Sequence, residues 1–218
     1  MCAKETLSPL QQLFIQEGQL RIFKKGEMIF SKEENANEAY YIENGLLKIC
    51  QMTQAGQDVT FFVRRQQEYF GIAELILGEH HSCYAQCLVD SRLRCLPAKL
   101  IKKAYTEKHE VTVELLLTMT KRLMQQERTV EQLASRTVPA RAAWLLEQLY
   151  QGRQQQAVPF PMPLTHQELS NMIGCSRQTL SDVFRVWRAR GIINYTRSSV
   201  TILQPERLKE TLWLNEGV

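Results

Sequence analysis

The 218 residues carry 27 basic and 23 acidic side chains and are 44% hydrophobic, a composition typical of a globular chain of one or two domains. This composition excludes an intrinsically disordered chain and a small disulfide-stabilised protein. No apolar stretch approaches the roughly 20 residues of a membrane-spanning helix, and the N-terminus lacks the basic and apolar blocks of a secretory signal. We therefore expect a cytoplasmic protein with no membrane partner.

The cysteines do not have the spacing of a zinc site. None of them forms a CxxC pair, and in a reducing cytoplasm we expect them mostly as free thiols. The six residues are Cys2, Cys50, Cys83, Cys87, Cys95 and Cys175. We therefore predict no bound metal.

The first half of the chain has the pattern of a small β-domain. Between Gly18 and Pro97, short runs of β-branched and aromatic residues alternate with turn residues, which is typical of an all-β roll or barrel. The dipeptide Asn44-Gly45 predicts a hairpin between the strands on either side of it.

A long helix is predicted over residues 100–136, which contain neither Gly nor Pro. Within it, a heptad seam runs through Leu116, Met119, Leu123, Gln126, Val130 and Leu133. Such a seam favours a parallel homodimer, and the alternative is that the stripe packs on the chain's own β-domain. The polar Gln126 either sets the register of the seam or faces something bound there. Thr137 and Pro139 then predict a break, followed by a second helix from Ala140 to about Gly152.

Two short helices joined by a tight turn are predicted from Thr165 onward. Thr165 and Glu168 have the spacing of a capping box, and Gly174 permits the left-handed turn that ends the first helix. Ser176 can cap the second helix, and the small Ser170 lets the two helices approach. The residues predicted to pack between them are Leu169, Ile173, Cys175, Leu180 and Val183. The segment therefore predicts a helix-turn-helix.

The second helix of this motif presents side chains that suit DNA, namely Arg177, Gln178, Ser181 and Arg185. Arg pairs bidentately with guanine and Gln with adenine, whereas Ser can reach a base or a phosphate. From Ser176 to Val200 there are five arginines against the single Asp182, a local charge that favours a polyanion. Two strands are predicted around Thr-Arg-Ser-Ser, forming a wing whose Arg197 can meet the phosphate backbone.

These segments resemble the CRP/FNR superfamily of bacterial transcription regulators. The resemblance covers roughly Leu20 to Pro205 and is carried by KKGEMIF, AYYIENGLLKI, FGIAELILGEHHSCYAQC, VPARAAWLLEQL and LTHQELSNMIGCSRQTLSDVFRVWRARGII. The last segment resembles the family helix-turn-helix almost residue for residue. The resemblance implies an α+β chain with a β-roll effector domain, a dimerisation helix and a winged helix-turn-helix domain that reorients when effector binds. We assign these parts to residues 1–108, 109–137 and 138–218.

The resemblance also bears on the effector. Family members that bind cyclic AMP carry an Arg-Ser pair after the Gly-Glu-Leu of their phosphate-binding cassette, but the corresponding positions here look like Cys83 and Tyr84. A buried cyclic phosphate needs a cationic partner, because an unpaired buried charge is strongly destabilising. We therefore expect an effector other than cyclic AMP, a small organic molecule bound between the roll and the long helix. The residues expected near it are Glu74, Leu75, Cys83, Tyr84 and Gln126.

The alternative hypothesis is a haem- or thiol-based sensor. His80, His81 and Cys83 lie in a loop suited to an axial haem ligand, although surface histidines in a turn are the more ordinary interpretation. The N-terminal cysteine group that holds an iron-sulfur cluster in oxygen-sensing members is not matched, since only Cys2 lies near the start. Cys83 and Cys87 are too far apart along one strand for an easy disulfide, but pairing across strands or between subunits stays open.

The expected partners follow from the motif and the resemblance. They are double-stranded DNA, a second copy of the chain, the effector and RNA polymerase. A two-fold dimer predicts an inverted-repeat operator whose half-sites face successive major grooves about 34 Å apart. The recognition helix of the cyclic-AMP receptor proteins in this family has Arg, Glu and Arg at the positions that look like Arg177, Gln178 and Asp182 here. The operator should therefore differ from the operator of those receptor proteins. An enzyme is not expected, because the sequence has no GxSxG, phosphate loop, HExxH or recognisable catalytic carboxylate pair.

Overall fold

The computed structural model of the chain describes residues 7–52, 58–150, 160–161, 164–196 and 199–212. The chain forms two compact units. The first comprises Met1–Gln57 and Phe61–Met124, and the second comprises Asp58–Thr60 and Gln125–Val218. The division between them falls inside a long helix. None of the helices in the described residues combines the length and apolar character needed to span a membrane.

The elements up to the long helix alternate as the sequence pattern predicts, with additional short helices. In chain order they are α1 (Pro9–Glu17), β1 (Gln19–Phe23), β2 (Met28–Phe30), β3 (Glu38–Asn44), β4 (Leu46–Met52), β5 (Asp58–Arg65), β6 (Tyr69–Phe70), α2 (Ala73–Leu77), β7 (Tyr84–Cys87), β8 (Ser91–Pro97), α3 (Ala98–Glu107) and α4 (His109–Ser135). The strands form two four-stranded sheets, with orders β1-β8-β3-β6 and β2-β7-β4-β5. This arrangement is the predicted β-roll.

The hairpin predicted at Asn44-Gly45 is wrong. Strand β3 pairs with β8 and β6 in one sheet, whereas β4 pairs with β7 in the other, so the chain passes from sheet to sheet at Gly45. Gly45 has a φ of 134°, and a Cβ at this position would collide with Ser91. The glycine is therefore required by the close approach of β8 rather than by a two-residue turn.

The core of the first unit has two layers, and β3 contributes to both. Tyr40 and Ile42 point into a cluster shared by the two sheets, while Ala39 and Tyr41 point into a cluster formed with the helices. This alternation follows the two-residue period of a strand. Because both faces of β3 are covered, the strand is buried along most of its length. Its sequence is accordingly a continuous apolar run, from Ala39 to Ile42.

The predicted continuous helix over residues 100–136 is interrupted. Lys108 adopts an extended conformation, with φ −117° and ψ 102°, and separates α3 from α4. Ile101 of α3 and Val111 and Leu115 of α4 are buried in the same helix-side cluster. A change of direction at Lys108 brings both apolar stripes to that one core, although the local sequence carries no helix-breaking residue.

The second unit contains the C-terminal part of α4 and, in chain order, α5 (Val138–Tyr150), β9 (Phe160–Pro161), α6 (His166–Met172), α7 (Arg177–Ala189), β10 (Ile193–Tyr195), β11 (Ser199–Ile202) and α8 (Pro205–Thr211). The strands form an antiparallel sheet of order β10-β11-β9. The predicted break at Thr137 is present, and the Arg141 amide donates to the Thr137 carbonyl in the first turn of α5. Helix α8 was not predicted from the sequence.

Candidate nucleic-acid interface and effector site

The first helix of the motif begins at the predicted capping box. The Thr165 hydroxyl accepts from the Glu168 amide at 3.2 Å, and the Glu168 carboxylate accepts from the Thr165 amide at 2.7 Å. Two amides at the start of α6 that have no partner within the helix are therefore satisfied by local side chains.

The turn between the helices also follows the prediction. Gly174 has a φ of 63°, which is the left-handed conformation that favours glycine. Ser176 caps α7, accepting from the Thr179 amide at 3.0 Å. The segment from Thr165 to Ala189 therefore forms the helix-turn-helix that its sequence indicates.

The packing between α6 and α7 differs in part from the prediction. Leu169, Ile173 and Leu180 are buried as expected, and Ser170 is fully buried with its hydroxyl donating to the Gln167 carbonyl. Cys175 and Val183, also predicted to pack here, are only half-buried. Their place in the core is taken by Phe184 and Trp187, which stack with ring centroids 5.9 Å apart. The helical spacing of these two aromatics from Leu180 is the signal that could have identified them.

The outer face of α7 carries the predicted DNA-reading residues. Arg177, Gln178 and Arg185 are exposed, whereas Ser181 is half-buried with its hydroxyl 3.3 Å from His166 Nδ1. Asp182 links two of these side chains, because one of its carboxylate oxygens accepts from both Gln178 (3.2 Å) and Arg185 (2.8 Å). The face is therefore basic at its start and locally neutralised by Asp182 in its middle.

The wing follows α7 as two paired strands. Ile193–Tyr195 pairs with Val200–Ile202, and the hairpin is closed by a bond from the Thr196 amide to the Ser199 carbonyl. The predicted backbone contact Arg197 lies outside the described residues. Arg188, which was not among the predicted site residues, has its guanidinium 5.5 Å from the centroid of the Tyr195 ring. Arg188 belongs to α7, and its contact with Tyr195 adds a positive charge where α7 meets the wing.

His166 connects α6 to both α7 and the wing. Its ring packs edge-on against Phe184 and lies 5.7 Å from the Tyr195 ring. Burial lowers the pKa of His166, and the positive charge of Arg177 lowers it further. Both effects favour the neutral form of the ring. Thr165, the preceding residue, is exposed.

The predicted effector residues are only partly brought together. Leu75 is buried in the helix-side cluster of the roll and serves the core. Glu74 accepts from the Ser82 hydroxyl at 3.1 Å and interacts electrostatically with Cys83. Tyr84 pairs with Cys50 across β7 and β4. Gln126 is exposed and belongs to the second unit.

Two half-buried arginines of the first unit, Arg64 and Arg122, lie outside the set of predicted effector residues. Arg64 of β5 interacts electrostatically with Cys83, and Arg122 of α4 donates to the Tyr69 carbonyl. The Glu68 carboxylate interacts electrostatically with both guanidiniums. Burial, followed by the charge of Arg64, lowers the pKa of Arg122 to about 10.

The residues considered for haem or thiol chemistry have ordinary structural surroundings. His81 is buried and stacks on Phe30 with ring centroids 3.6 Å apart, which corrects its interpretation as a surface histidine, whereas His80 is exposed. Burial lowers the pKa of His81 and raises that of the Cys83 thiol. Among the described residues no group of three His, Cys, Asp or Glu side chains is placed to hold a metal ion. Five cysteines of the described residues form no disulfide: Cys50, Cys83, Cys87, Cys95 and Cys175.

The predicted heptad seam is largely uncovered in the single chain. Leu116, Leu123, Val130 and Leu133 are 66%, 57%, 65% and 41% exposed. Gln126 is exposed as well, but Met119 is half-buried and packs against the helix-side cluster of the roll. An apolar stripe of this length in water is typical of a surface that is covered by another chain.

Comparison with known protein families identifies the class to which this fold and these sites belong. Residues 20–108 match the cyclic nucleotide-binding domain, and residues 141–211 match the Crp-like helix-turn-helix domain. Together the two matches cover more than half of the chain. The chain belongs to the CRP/FNR family of transcription regulators, and it is a DNA-binding regulator rather than an enzyme.

Individual relatives are similar along most of the chain. The "Global nitrogen regulator" of Synechococcus elongatus is 24% identical over 88% of this chain and 89% of its own length. The "CRP-like cAMP-activated global transcriptional regulator" of Mycobacterium tuberculosis is 25% identical over 85% and 84%. The structure of FixK2 from Bradyrhizobium japonicum superimposes with a TM-score of 0.79 at 19% identity, covering 92% of this chain and 98% of that one. These matches confirm the predicted fold.

Proposed function

We propose that this regulator acts as a homodimer that binds an inverted-repeat DNA operator and is gated by a small-molecule effector. The observation that carries the proposal is the exposed face of α7, where Arg177, Gln178 and Arg185 project outward at helical spacing. Arg and Gln suit guanine and adenine in the major groove, and Thr165, Ser176 and Ser181 suit nearby phosphates or bases. The wing, including Arg197, is the proposed backbone contact.

The homodimer is proposed from α4. Leu116, Leu123 and Val130 lie seven residues apart, and Leu133 lies three residues after Val130. This heptad spacing places the four exposed side chains in one stripe, which a second copy of α4 can bury. Two copies related by a two-fold axis would present two α7 helices to successive major grooves. We retain residues 109–137 as the proposed dimerisation segment between the roll and the DNA-binding domain.

The effector is proposed to bind in the roll and to favour the DNA-competent arrangement. An effector can do this only through unequal affinity for the two arrangements. The Mycobacterium tuberculosis relative is described as activated by cyclic AMP, but Cys83 and Tyr84 replace the Arg-Ser pair expected of a cyclic-AMP site. We therefore keep cyclic AMP as the less favoured ligand, and we propose RNA polymerase as the partner through which bound dimers act on transcription.

Selection from a pool of random double-stranded DNA tests the DNA-binding part of the proposal. The full chain is expected to enrich an inverted repeat with half-sites about one helical turn apart. Complete indifference to double-stranded DNA at low ionic strength, with or without added metabolites, would refute it.

Substitution of Arg177 tests the reading face. We expect Arg177→Ala to lower affinity by about 1–3 kcal/mol on the selected site and to relax the preference at one base pair, because a bidentate contact to guanine is lost. Arg207→Ala, an exposed arginine of α8 paired with Gln204, is the matched control and should bind normally. An equal loss of affinity for every DNA sequence would make Arg177 a phosphate contact instead.

A haem-based regulator is the alternative that the sequence leaves open. Visible absorption of the purified protein distinguishes the two hypotheses, since a bound haem gives an intense band and the effector-gated dimer gives none.

A further inference from the structure

His166 is held in place by side chains of α7 and of the wing. Its ring packs edge-on against Phe184 of α7, with centroids 5.2 Å apart, and lies 5.7 Å from the Tyr195 ring of β10. Ring Nδ1 is 3.3 Å from the hydroxyl oxygen of Ser181. Because the half-buried ring is packed by two aromatic neighbours, it has little freedom to rotate, and Nδ1 stays directed at Ser181.

The Ser181 hydroxyl does not follow the usual hydrogen bonding of a hydroxyl in a helix. On α4, the hydroxyls of Thr120, Thr129 and Ser135 each donate to the carbonyl four residues before them. Within the described residues, the one hydrogen-bond partner of the Ser181 hydroxyl is His166 Nδ1. Because a hydroxyl has a single hydrogen to donate, the direction of this bond decides what Ser181 can offer to a third group.

The charge state of His166 favours donation from Ser181 to the ring. Burial lowers the pKa of His166, and the positive charge of Arg177 lowers it further, so both effects favour the neutral ring. A neutral imidazole has one nitrogen that accepts, whereas both nitrogens of an imidazolium donate. If Nδ1 carried the hydrogen, the hydroxyl hydrogen of Ser181 would have no acceptor among the described residues. The contact therefore satisfies that hydrogen only when Nδ1 accepts.

Ser181 lies in the middle of the face of α7 that carries the exposed arginines. It is four residues after Arg177 and four residues before Arg185, so the three side chains lie along one side of the helix. A hydroxyl whose hydrogen is directed at His166 has only lone pairs to offer on its open side. In the major groove, such an acceptor matches the amino groups of adenine and cytosine and does not match the carbonyl oxygens of guanine and thymine.

We propose that His166 is a positioning residue that sets the base specificity of Ser181: its Nδ1 accepts the hydroxyl hydrogen, so that Ser181 accepts a hydrogen bond from the amino group of an adenine or a cytosine. A hydroxyl without this partner can donate or accept and would discriminate less between bases. The inference rests on the proposed reading of DNA by α7, and it specifies the kind of base at one position of each half-site.

NMR of the imidazole nitrogens of the full chain tests the direction of the bond without DNA. A ring nitrogen that carries a hydrogen is readily distinguished from one that does not. Among the four histidines of the chain, His166 is identified as the ring whose signals shift in Ser181→Ala. We expect its Nδ1 to be the nitrogen without hydrogen near neutral pH. A hydrogen on Nδ1, or no shifted ring in Ser181→Ala, would overturn the proposal.

Duplexes that lack one amino group test the reading of the base. Selection from random double-stranded DNA identifies the base pair read by Ser181 as the pair whose preference Ser181→Ala loses. Purine in place of adenine at that pair, or a cytosine analogue without its amino group, removes the expected donor. We expect this change to weaken wild-type binding about fivefold, because one hydrogen bond is lost, and not to weaken binding by Ser181→Ala. Equal weakening of both proteins, or a Ser181→Ala variant that keeps every preference, refutes the assignment.

A double variant separates an effect exerted through Ser181 from a general structural role of the ring. His166→Phe keeps an aromatic ring against Phe184 and removes both ring nitrogens. Its binding should depend less on the amino group, because the released hydroxyl can also donate to a base carbonyl. In the Ser181→Ala background, the same substitution should have no further effect on this dependence. His80→Phe, at an exposed histidine of the first unit, is the matched control and should respond like the wild type.

A His166→Phe variant that depends on the amino group as strongly as the wild type would contradict the positioning role. If this variant does not fold, the NMR measurement on the wild type decides. Operator selection distinguishes this inference from the proposed function. A chain that selects an operator but shows no role for the amino group contradicts the inference alone. A chain whose Nδ1 accepts from Ser181 but that selects no operator contradicts the proposed function.

Discussion

If the proposed homodimer forms through α4, replacement of Leu123 by Glu is expected to give folded monomers. Leu123 lies in the centre of the uncovered stripe of α4 and is 57% exposed in the single chain. Its replacement removes little from the chain's own core, in contrast to Leu115, which is 5% exposed and packs in the helix-side cluster. The substitution therefore acts on association rather than on folding.

The expected loss of affinity can be worked out from this exposure. Full burial of a leucine contributes about 1.5–3 kcal/mol, so burial of the remaining exposed part contributes about 1–2 kcal/mol per chain and about 2–4 kcal/mol per dimer. Two glutamates about 6 Å apart across the seam would repel by about 3 kcal/mol at an effective dielectric constant near 20. Together these effects should raise the dimer dissociation constant by about 1,000-fold or more.

Sedimentation equilibrium at micromolar concentration measures the effect, and circular dichroism checks that the variant is folded. Gln125→Glu is the matched control, because it adds the same charge two residues away on the opposite side of the helix. We expect Leu123→Glu to be monomeric and to lose tight binding to the inverted repeat, while the control stays dimeric. A Leu123→Glu variant that dimerises as well as the wild type would show that the stripe is not the dimer seam.

Two further predictions concern single side chains. Asp182→Asn should strengthen DNA binding about fivefold per dimer for every DNA sequence, because it removes a carboxylate that repels phosphates. The substitution also breaks the exposed ion pair with Arg185, but such a pair contributes only about 0.2–1 kcal/mol to stability. Titration of labelled duplexes measures this, and a loss confined to sites with a cytosine at one position would mean that Asp182 reads that base. His81→Phe should make thermal stability less sensitive to acid. Because burial lowers the pKa of His81 below its ordinary 6.5, the unfolded chain gains the proton first, and stability is lost as the pH falls below that value. Equal slopes of unfolding temperature against pH below about 6.5 in wild type and variant would contradict this.

The sequence alone was enough for features whose partners lie a few residues apart. The capping box at Thr165, the left-handed Gly174 and the cap at Ser176 each depend on side chains within about one helical turn, and all are present as predicted. The strand alternation of the roll is also local, since its period is set by the strand itself. These local signals predicted the β-roll, a long helix and the helix-turn-helix, whereas the family was indicated by the resemblance of whole segments to its members.

Contacts between distant segments were decided only by the tertiary structure. The passage from one sheet to the other at Gly45 depends on the approach of Ser91, and the break at Lys108 depends on a core that α3 and α4 share. Likewise, Arg122 donates to the Tyr69 carbonyl 53 residues away. No local period records such a contact, because it exists only when the fold brings the two segments together.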